Sequence, residues 1–271
     1  MALTNVIKRT LLCSYARLTS ELPSLDATPL FHGASLEEFE KQAAQKSPCV
    51  HMTAVNANVG KTHYNELDLF IRANQNHKFY FWSDHECVKF INKYFSGTNV
   101  ELFFQSVPHG IVRADLFRMC ILFIYGGIYF DLKSRFNSKL DLLNLDNGEG
   151  FVIEEPHQVA VAIKSSKRFL PSDNIIANWF LAFPAKHPFL LIAIERLTQS
   201  IPKYLSNDNL QFSEWVWETS GPRFLTRVLN ENWTPQLHVN IIKWASPLHQ
   251  PVYACKGSWV RTCIRKHYSQ L

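Results

Sequence analysis

The chain has 271 residues, of which 46% are hydrophobic and 19% are charged, and its formal net charge is +5. This composition is that of a folded protein with a sizeable core, and it excludes a disordered chain. The basic residues are scattered along the sequence, so we expect no nucleic-acid partner.

Strands and helices are predicted to alternate along the first half of the chain. Residues 1–46 are expected to be a helical or irregular lead-in, and residues 47–271 a single domain. Apolar and β-branched runs predict strands at 49–55, 77–83, 99–105 and 127–131. The runs between them predict helices at 61–76, at 84–95 with Asp84 as N-cap, and at 110–126. This alternation favours an α/β fold with a largely parallel sheet.

The pattern loosens beyond residue 135. We predict short strands at 150–155 and 159–164, helices at 187–201 and 220–232, and a late strand at 237–244. The six cysteines have no CxxC spacing, which predicts reduced and mostly buried thiols. No run has the features of a signal peptide, and the longest apolar run is too short to span a bilayer. We expect a cytoplasmic protein that is soluble or peripherally associated with a membrane.

Three charged residues stand out in and after the apolar helix predicted at 110–126. Asp115 and Arg118 are three residues apart and therefore share one helix face. A buried helix accepts such charges only where they pair or face a cavity. Asp131 ends the fourth predicted strand, and ligands of parallel sheets bind beyond the carboxyl ends of strands. The alternatives are a surface ion pair with a turn-capping acid, or one shared binding site.

The stretch RADLFRMCILFIYGGIYFD, residues 113–131, resembles the signature of DXD-containing, family-32-like glycosyltransferases of the mannosyltransferase and capsular polysaccharide transferase type. In that signature an acid and an arginine three residues later precede a GG-x-Y-x-D segment. Weaker similarities lie in NWFLAFPAKHPFL (178–190), ETSGPRFLT (218–226) and GSW (257–259). The resemblance implies a GT-A (nucleotide-diphospho-sugar transferase) fold over residues 47–271, with a Rossmann-like, mostly parallel sheet flanked by helices.

The resemblance also implies roles for individual residues. Catalytic roles would belong to Asp131, Lys133 and Arg118. A nucleotide-sugar donor would be bound by Asp115, Arg118, Asp131, Gly127, Tyr129, Asn178, Ser258 and Trp259. Carboxylates suit sugar hydroxyls because they accept strong hydrogen bonds.

Lys133 stands where the second DXD acid of the family holds Mn²⁺ or Mg²⁺. An ammonium group has donors and no lone pair, so it does not coordinate a metal. Three alternatives stay open. Lys133 replaces the metal against the donor diphosphate, or the metal is held by Asp131 and the phosphates alone. In the third, Lys133 faces solvent and catalysis has been lost.

The function implied by the resemblance is that of a hexosyltransferase in polysaccharide biosynthesis. Such an enzyme moves a sugar from a UDP- or GDP-sugar to a glycan or glycolipid with retention of configuration; a protein acceptor is the less favoured choice. The alternative is a catalytically degenerate transferase-fold protein that binds a nucleotide or glycan.

Overall fold

The computed structural model describes residues 35–43, 49–54, 61–132, 134–136, 139–155, 174–199, 212–243 and 251–253. The helices are α1 (Leu36–Ala43), α2 (Lys61–Ala73), α3 (Asp84–Tyr94), α4 (Asn99–Ser106), α5 (Gly110–Tyr125), α6 (Pro188–Thr198), α7 (Phe212–Thr219) and α8 (Pro222–Asn232). The strands are β1 (Cys49–Ala54), β2 (Lys78–Ser83), β3 (Gly127–Phe130), β4 (Ser134–Phe136), β5 (Gly150–Glu155), β6 (Ile175–Phe183), β7 (Val239–Lys243) and β8 (Pro251–Tyr253). Short 3₁₀ turns cover Leu140–Leu142 and Pro235–Leu237.

A six-stranded sheet with the order β2-β1-β3-β6-β5-β7 forms the centre of the fold. Its pairings are parallel except at β6, which runs antiparallel to both β3 and β5. Strands β4 and β8 form a separate antiparallel pair. The structure thus confirms the predicted α/β class, a mostly parallel sheet flanked by helices, and it is consistent with a GT-A fold.

Successive side chains of the central strands face opposite sides of the sheet. Trp82 and Tyr129 belong to the larger apolar cluster, to which α1 and α3 to α8 contribute. Phe81 and Phe130 belong to the smaller cluster, with α2 and the Leu140 turn. Because both faces are covered, a ligand reaches the sheet at an edge.

Helix α5 crosses the interior of the domain. Its residues from Asp115 to Leu122 are all buried, and it packs against α6, β3 and β6. A helix that is apolar on every side belongs in a core, as the sequence predicts. Asp115 and Arg118 therefore carry their charges into the interior, where each needs a partner.

The Gly126–Gly127 pair joins α5 to β3 at the edge of the sheet opposite the carboxyl ends of the parallel strands. Both residues have positive φ, 70° and 104°. A Cβ at Gly126 would lie 2.6 Å from the Ala185 amide nitrogen, and one at Gly127 would lie 2.5 Å from the Cys49 carbonyl oxygen. The two glycines thus permit close backbone approaches that a side chain would prevent.

The prediction of a strand at 99–105 is wrong, because these residues form helix α4. Val100, Phe103 and Phe104 are buried at the three- and four-residue spacing of a helix face, which outweighs the strand preference of the run. Asp131 consequently follows the third strand of the chain rather than the fourth.

Smaller differences concern the ends and number of elements. Asp84 is not the N-cap of α3; Ser83 is, and its Oγ accepts a hydrogen bond from the Glu86 amide at 3.3 Å. Strand β6 (Ile175–Phe183) is not among the predicted elements. The strand predicted at 159–164 lies outside the described residues.

Helix α1 packs into the same core as the rest of the domain. Phe39 is fully buried and makes edge contacts with the rings of His51, Tyr80, Trp82 and Tyr125. The division of the chain at residue 46 stays a prediction.

Two general expectations can be compared with the described ranges. The cysteines at positions 49, 87 and 120 are buried, and no disulfide joins them. Among the helices given above, none combines the length and apolarity needed to cross a bilayer.

Candidate functional site

A cavity of about 390 Å³ lies at the carboxyl edge of the parallel strands. Thr53 near the end of β1, Asp84 after β2 and Asp131 after β3 line it, together with the first half of α5. Its volume falls within the range of roughly 300–1,000 Å³ typical of small-molecule sites. Its position is the one at which open α/β sheets bind ligands.

The Asp115 carboxylate is buried at the wall of this cavity and has partners at both oxygens. Its side chain is 1% exposed, and Oδ1 lies 2.8 Å from Arg118 Nη2. The same oxygen accepts a hydrogen bond from Asn178 Nδ2 at 3.0 Å, and Oδ2 accepts one from Ser220 Oγ at 2.7 Å. These contacts tie α5 to β6 and to the turn between α7 and α8. Asp115 therefore anchors the site internally.

The Arg118 guanidinium connects this anchor to Asp131. Its Nη2 lies 3.4 Å from Asp131 Oδ1, and its side chain is 4% exposed. Nη1 donates to the carbonyl oxygen of Asn178, and Nε donates to that of Ala114 at 3.3 Å. The guanidinium carbon lies 4.6 Å from the ring centroid of Tyr129, a cation–π distance. With two carboxylates around it, Arg118 orients Asp131 and has little charge left for an external anion.

Asp131 is the acid of this group that reaches the open part of the cavity. Its side chain is 31% exposed. Tyr129 donates its hydroxyl to Asp131 Oδ1 at 3.1 Å and also shares a hydrogen bond of 2.8 Å with the Thr53 hydroxyl. These contacts use Oδ1, and within the part of the chain that the structure describes Oδ2 makes none. The carboxylate can therefore accept hydrogen bonds from a ligand hydroxyl.

The burial of these groups changes their ionisation. Burial raises the pKa of Asp115 to about 6, although the Arg118 charge and the Ser220 hydrogen bond oppose the rise. Asp115 is thus charged at neutral pH and becomes neutral in mild acid. Burial also raises the pKa of Tyr129 far above its ordinary value, so its hydroxyl stays protonated and able to donate.

His51 is buried in the core, and its pKa is lowered by burial, whereas that of Asp115 is raised. Its Nδ1 accepts a hydrogen bond from Trp82 Nε1 at 3.2 Å, which leaves Nε2 to donate to the Gly126 carbonyl oxygen at 3.2 Å. Burial lowers its pKa from 6.5 to about 4, against the effect of the Gly126 hydrogen bond. The neutral imidazole is therefore part of the folded structure.

The two buried groups change the stability of the fold in opposite directions as the pH falls. The unfolded chain protonates His51 first, so the fold loses stability from pH 6.5 to 4. The folded chain protonates Asp115 first, so the fold gains stability from pH 6 down to 3.8. Each change is worth about 3 kcal/mol, so the two offset one another.

We expect the substitution Asp115→Asn to remove this compensation. The amide has the shape of the carboxylate, and its oxygen can still accept from Arg118 and Asn178. The free energy of unfolding of the variant should fall by about 2 kcal/mol more than that of the wild type between pH 6 and pH 4. Urea denaturation at closely spaced pH values measures both curves. Parallel curves would contradict the buried ionisation described for Asp115.

The structure brings four of the predicted site residues together: Asp115, Arg118, Asp131 and Asn178 all line the cavity. Tyr129 supports them from below through Arg118 and Asp131.

Gly127 is not among the residues that line this cavity. It begins β3 at the far edge of the sheet, where its role is the close approach to Cys49. Lys133, Ser258 and Trp259 lie outside the described residues, so their predicted roles stay predictions.

Sequence reasoning missed Ser220, Thr53 and Arg113 as members of the site. Ser220 lies 105 positions from its partner Asp115, and no spacing rule connects two such positions. Thr53 could have been found, because it lies near the carboxyl end of a predicted strand. Arg113 is the first residue of the family stretch, and the resemblance implies no role for it.

The described residues do not supply a metal site by themselves. They include no group of three or more His, Cys, Asp or Glu side chains that could hold a metal ion. Near the cavity opening, Asp131 offers one carboxylate, whereas Mg²⁺ and Mn²⁺ prefer several oxygen ligands. The alternatives given above for a metal, which depend on Lys133, therefore stay predictions.

Comparison with known proteins points to the same region of the chain. The family model described as "Glycosyltransferase sugar-binding region containing DXD motif" matches residues 60–147. This range includes α5, the Gly-Gly pair and Asp131, so it agrees with the resemblance drawn from residues 113–131.

Individual relatives are also glycosyltransferases by name. The chain is 27% identical over 193 residues to inositol phosphoceramide mannosyltransferase 3 of Schizosaccharomyces pombe, covering 70% of this chain and 46% of that protein. It is 29% identical over 152 residues to inositol phosphoceramide mannosyltransferase 1 of the same yeast, covering 55% and 39%. It is 28% identical over 147 residues to lactosylceramide 4-alpha-galactosyltransferase of Mus musculus, covering 54% and 29%.

The matches span less than half the length of these curated relatives. Among solved structures, the PaToxG glycosyltransferase is similar with a TM-score of 0.48 and 14% identity, covering 73% of this chain and 76% of that one. Sequence comparison and site geometry thus converge on a segment that matches the sugar-binding region of glycosyltransferases.

Proposed function

We propose that the protein is a hexosyltransferase that moves a sugar from a UDP- or GDP-sugar to a glycolipid or glycan, with retention of configuration. The observation that carries the proposal is the convergence of Asp115, Arg118, Asp131 and Asn178 on one cavity at the carboxyl edge of the sheet. The sugar-binding family model matches the segment that holds three of them. The names of the relatives, which specify ceramide-linked substrates, favour a glycolipid acceptor and with it a peripheral contact with a membrane.

In this proposal the donor sugar lies against Asp131. The Oδ2 oxygen accepts hydrogen bonds from sugar or ribose hydroxyls, while Tyr129 and Arg118 fix the carboxylate through Oδ1. Asp115 keeps Arg118 in place from behind. A carboxylate held by both Tyr129 and Arg118 is preorganised, so little reorganisation is needed when the donor binds.

The transfer step is a front-face displacement. The bond between the anomeric carbon and the phosphate oxygen breaks as the acceptor hydroxyl oxygen bonds to that carbon from the same face. The hydroxyl proton passes to the departing phosphate oxygen, and a nucleoside diphosphate leaves. Lys133 and the Ser258–Trp259 segment are proposed to stabilise the charge of that leaving group.

A donor-hydrolysis screen with UDP- and GDP-sugars tests the proposal. The wild-type protein should hydrolyse at least one donor slowly in the absence of acceptor. Asp131→Asn should lower that rate about 100-fold or more, because an amide accepts weaker hydrogen bonds than a carboxylate. Running each assay with Mn²⁺ and with EDTA determines whether turnover requires a metal.

Asp146→Asn is the matched control, because Asp146 is an exposed acid that lines a different cavity. It should keep the wild-type rate. Unfolding measurements on both variants show whether a lower hydrolysis rate results from loss of the folded structure. Equal rates for Asp131→Asn and Asp146→Asn would refute the assignment of Asp131.

The second candidate is a transferase-fold protein that binds a nucleotide or glycan without turnover. The sequence observation that favours it is Lys133 in place of a metal-binding acid. Isothermal titration with UDP and GDP distinguishes the two candidates. Tight nucleotide binding with no hydrolysis of any donor would support the binder over the enzyme.

A further inference from the structure

We propose that Arg113 binds a phosphate or diphosphate group of a ligand in the 390 Å³ cavity. The inference rests on the proposed function and deepens it, because it identifies the residue that recognises an anionic part of the donor or acceptor.

The cavity has two cationic side chains among its described lining residues, Arg113 and Arg118. Arg118 is buried, and its guanidinium nitrogens are directed to two carboxylates and two backbone carbonyl oxygens. Its charge is therefore neutralised inside the protein. A ligand anion would gain little binding energy from Arg118, because its charge is already paired.

The side chain of Arg113 differs from that of Arg118 in having no hydrogen bond or ion pair in the described structure. It is half-buried, and its guanidinium carbon lies 5.9 Å from the ring centroid of Phe104, which lines the same cavity. The aromatic ring restrains the guanidinium without neutralising it. Five donor N–H groups in a planar fork remain available, and this geometry matches phosphate oxygens.

The negative charges that line the cavity increase the need for a cation such as Arg113 when an anion binds. Three carboxylates line it, those of Asp84, Asp115 and Asp131. Asp84 and Arg113 both line the cavity, and no ion pair joins them in the described structure. A phosphate entering such an acidic lining needs a positive partner, and of the two arginines in the described walls Arg113 is the one that forms no ion pair.

Two sources could present this anion, and both have the same chemistry. One is the diphosphate of a nucleotide-sugar donor. The other is a phosphodiester in an anionic glycolipid acceptor. Arg113 would contribute affinity in either case, so binding measurements must separate the two sources.

The test compares the wild-type chain with Arg113→Met by isothermal titration. The donor-side probes are UDP and GDP, with uridine and guanosine as their uncharged counterparts. The acceptor-side probe is dioctanoyl phosphatidylinositol, with dioctanoylglycerol as its uncharged counterpart. Arg196→Met is the matched control, because Arg196 is an exposed arginine outside the cavity and loses the same charge.

We expect Arg113→Met to weaken one phosphate-bearing probe by about 10-fold or more and to leave its uncharged counterpart unchanged. A loss for UDP and GDP assigns the donor diphosphate; a loss for the phosphoinositide alone assigns the acceptor phosphate. Arg196→Met should match the wild type throughout. Unchanged affinities for every phosphate probe, or no binding of any of them by the wild type, would overturn the inference.

The outcome is separable from that of the proposed function. A wild-type protein that hydrolyses a donor, combined with an Arg113→Met variant of unchanged affinities, rejects the Arg113 assignment alone. A clear loss of phosphate affinity in a protein that turns over no donor rejects the transferase activity alone.

Discussion

Arg118→Met is expected to abolish donor turnover and to lower the free energy of unfolding by about 3–5 kcal/mol at neutral pH. Arg118 forms an ion pair of 2.8 Å with Asp115, and both side chains are almost fully buried. The variant leaves the Asp115 charge in the interior with only the neutral donors of Asn178 and Ser220. Asp131 also loses the cation that orients it, so the proposed donor site loses its fixed carboxylate.

The pH dependence of this loss separates electrostatics from packing. Arg118 lowers the pKa of Asp115 against the effect of burial, so the pKa of Asp115 should rise further in the variant. At pH 5 the Asp115 carboxyl group is largely neutral in the wild type and fully neutral in the variant, so the stability difference between the two should shrink. Urea denaturation at pH 7 and pH 5 measures it. A loss of equal size at both pH values would show that the buried charge is not its cause.

Arg113→Met provides the matched control on the same helix. Arg113 is half-buried and pairs with no carboxylate in the described part of the chain, so its replacement should cost at most about 1 kcal/mol. Arg118→Lys is expected to fall between the wild type and Arg118→Met. The ammonium keeps the charge, but it cannot reach two carboxylates and two carbonyl oxygens in one plane.

The convergence of Asp115, Arg118 and Asp131 could be predicted from the sequence because it follows from local rules. Helix periodicity places Asp115 and Arg118 on one face, and the strand after the Gly-Gly pair returns Asp131 to the carboxyl edge of the sheet. All three residues belong to one short segment, a helix followed by the Gly-Gly pair and a strand. The local geometry of that segment therefore brings them close together.

Ser220 and β6 could not be predicted in the same way, because their positions depend on contacts between distant parts of the chain. Ser220 reaches Asp115 only after α8 has packed against β6 and α7 has packed against α8. Strand β6 is almost entirely buried, and a continuous apolar run does not distinguish a buried strand from a buried helix.

The error at α4 has a different origin. The run NVELFFQ is rich in residues that favour strands, and the expected strand–helix alternation reinforced that interpretation. The spacing of Val100, Phe103 and Phe104 gave the helical signal, and Leu102, which breaks the pattern, is exposed. Periodicity was the better guide than composition here.

Gly126→Ala is expected to lower the free energy of unfolding by about 4 kcal/mol or more. Gly126 has φ 70° and ψ −168°, a conformation that essentially only glycine adopts. A Cβ there would lie 2.6 Å from the Ala185 amide nitrogen and 3.1 Å from the Phe183 carbonyl oxygen, and neither backbone atom can move aside as a side chain would. Its own carbonyl oxygen also accepts the hydrogen bond from the buried His51.

Gly97→Ala distinguishes this crowding from the cost of positive φ alone. Gly97 has φ 73°, and a Cβ there would meet nothing within 4 Å. Its replacement should cost only about 1–2 kcal/mol, the penalty of a left-handed conformation. Urea denaturation of both variants gives the comparison. If Gly126→Ala cost no more than Gly97→Ala, the Gly-Gly pair would not be needed for the close approach of α5 and β3 to their neighbours. Another reason for its presence between Arg118 and Asp131 would then be required.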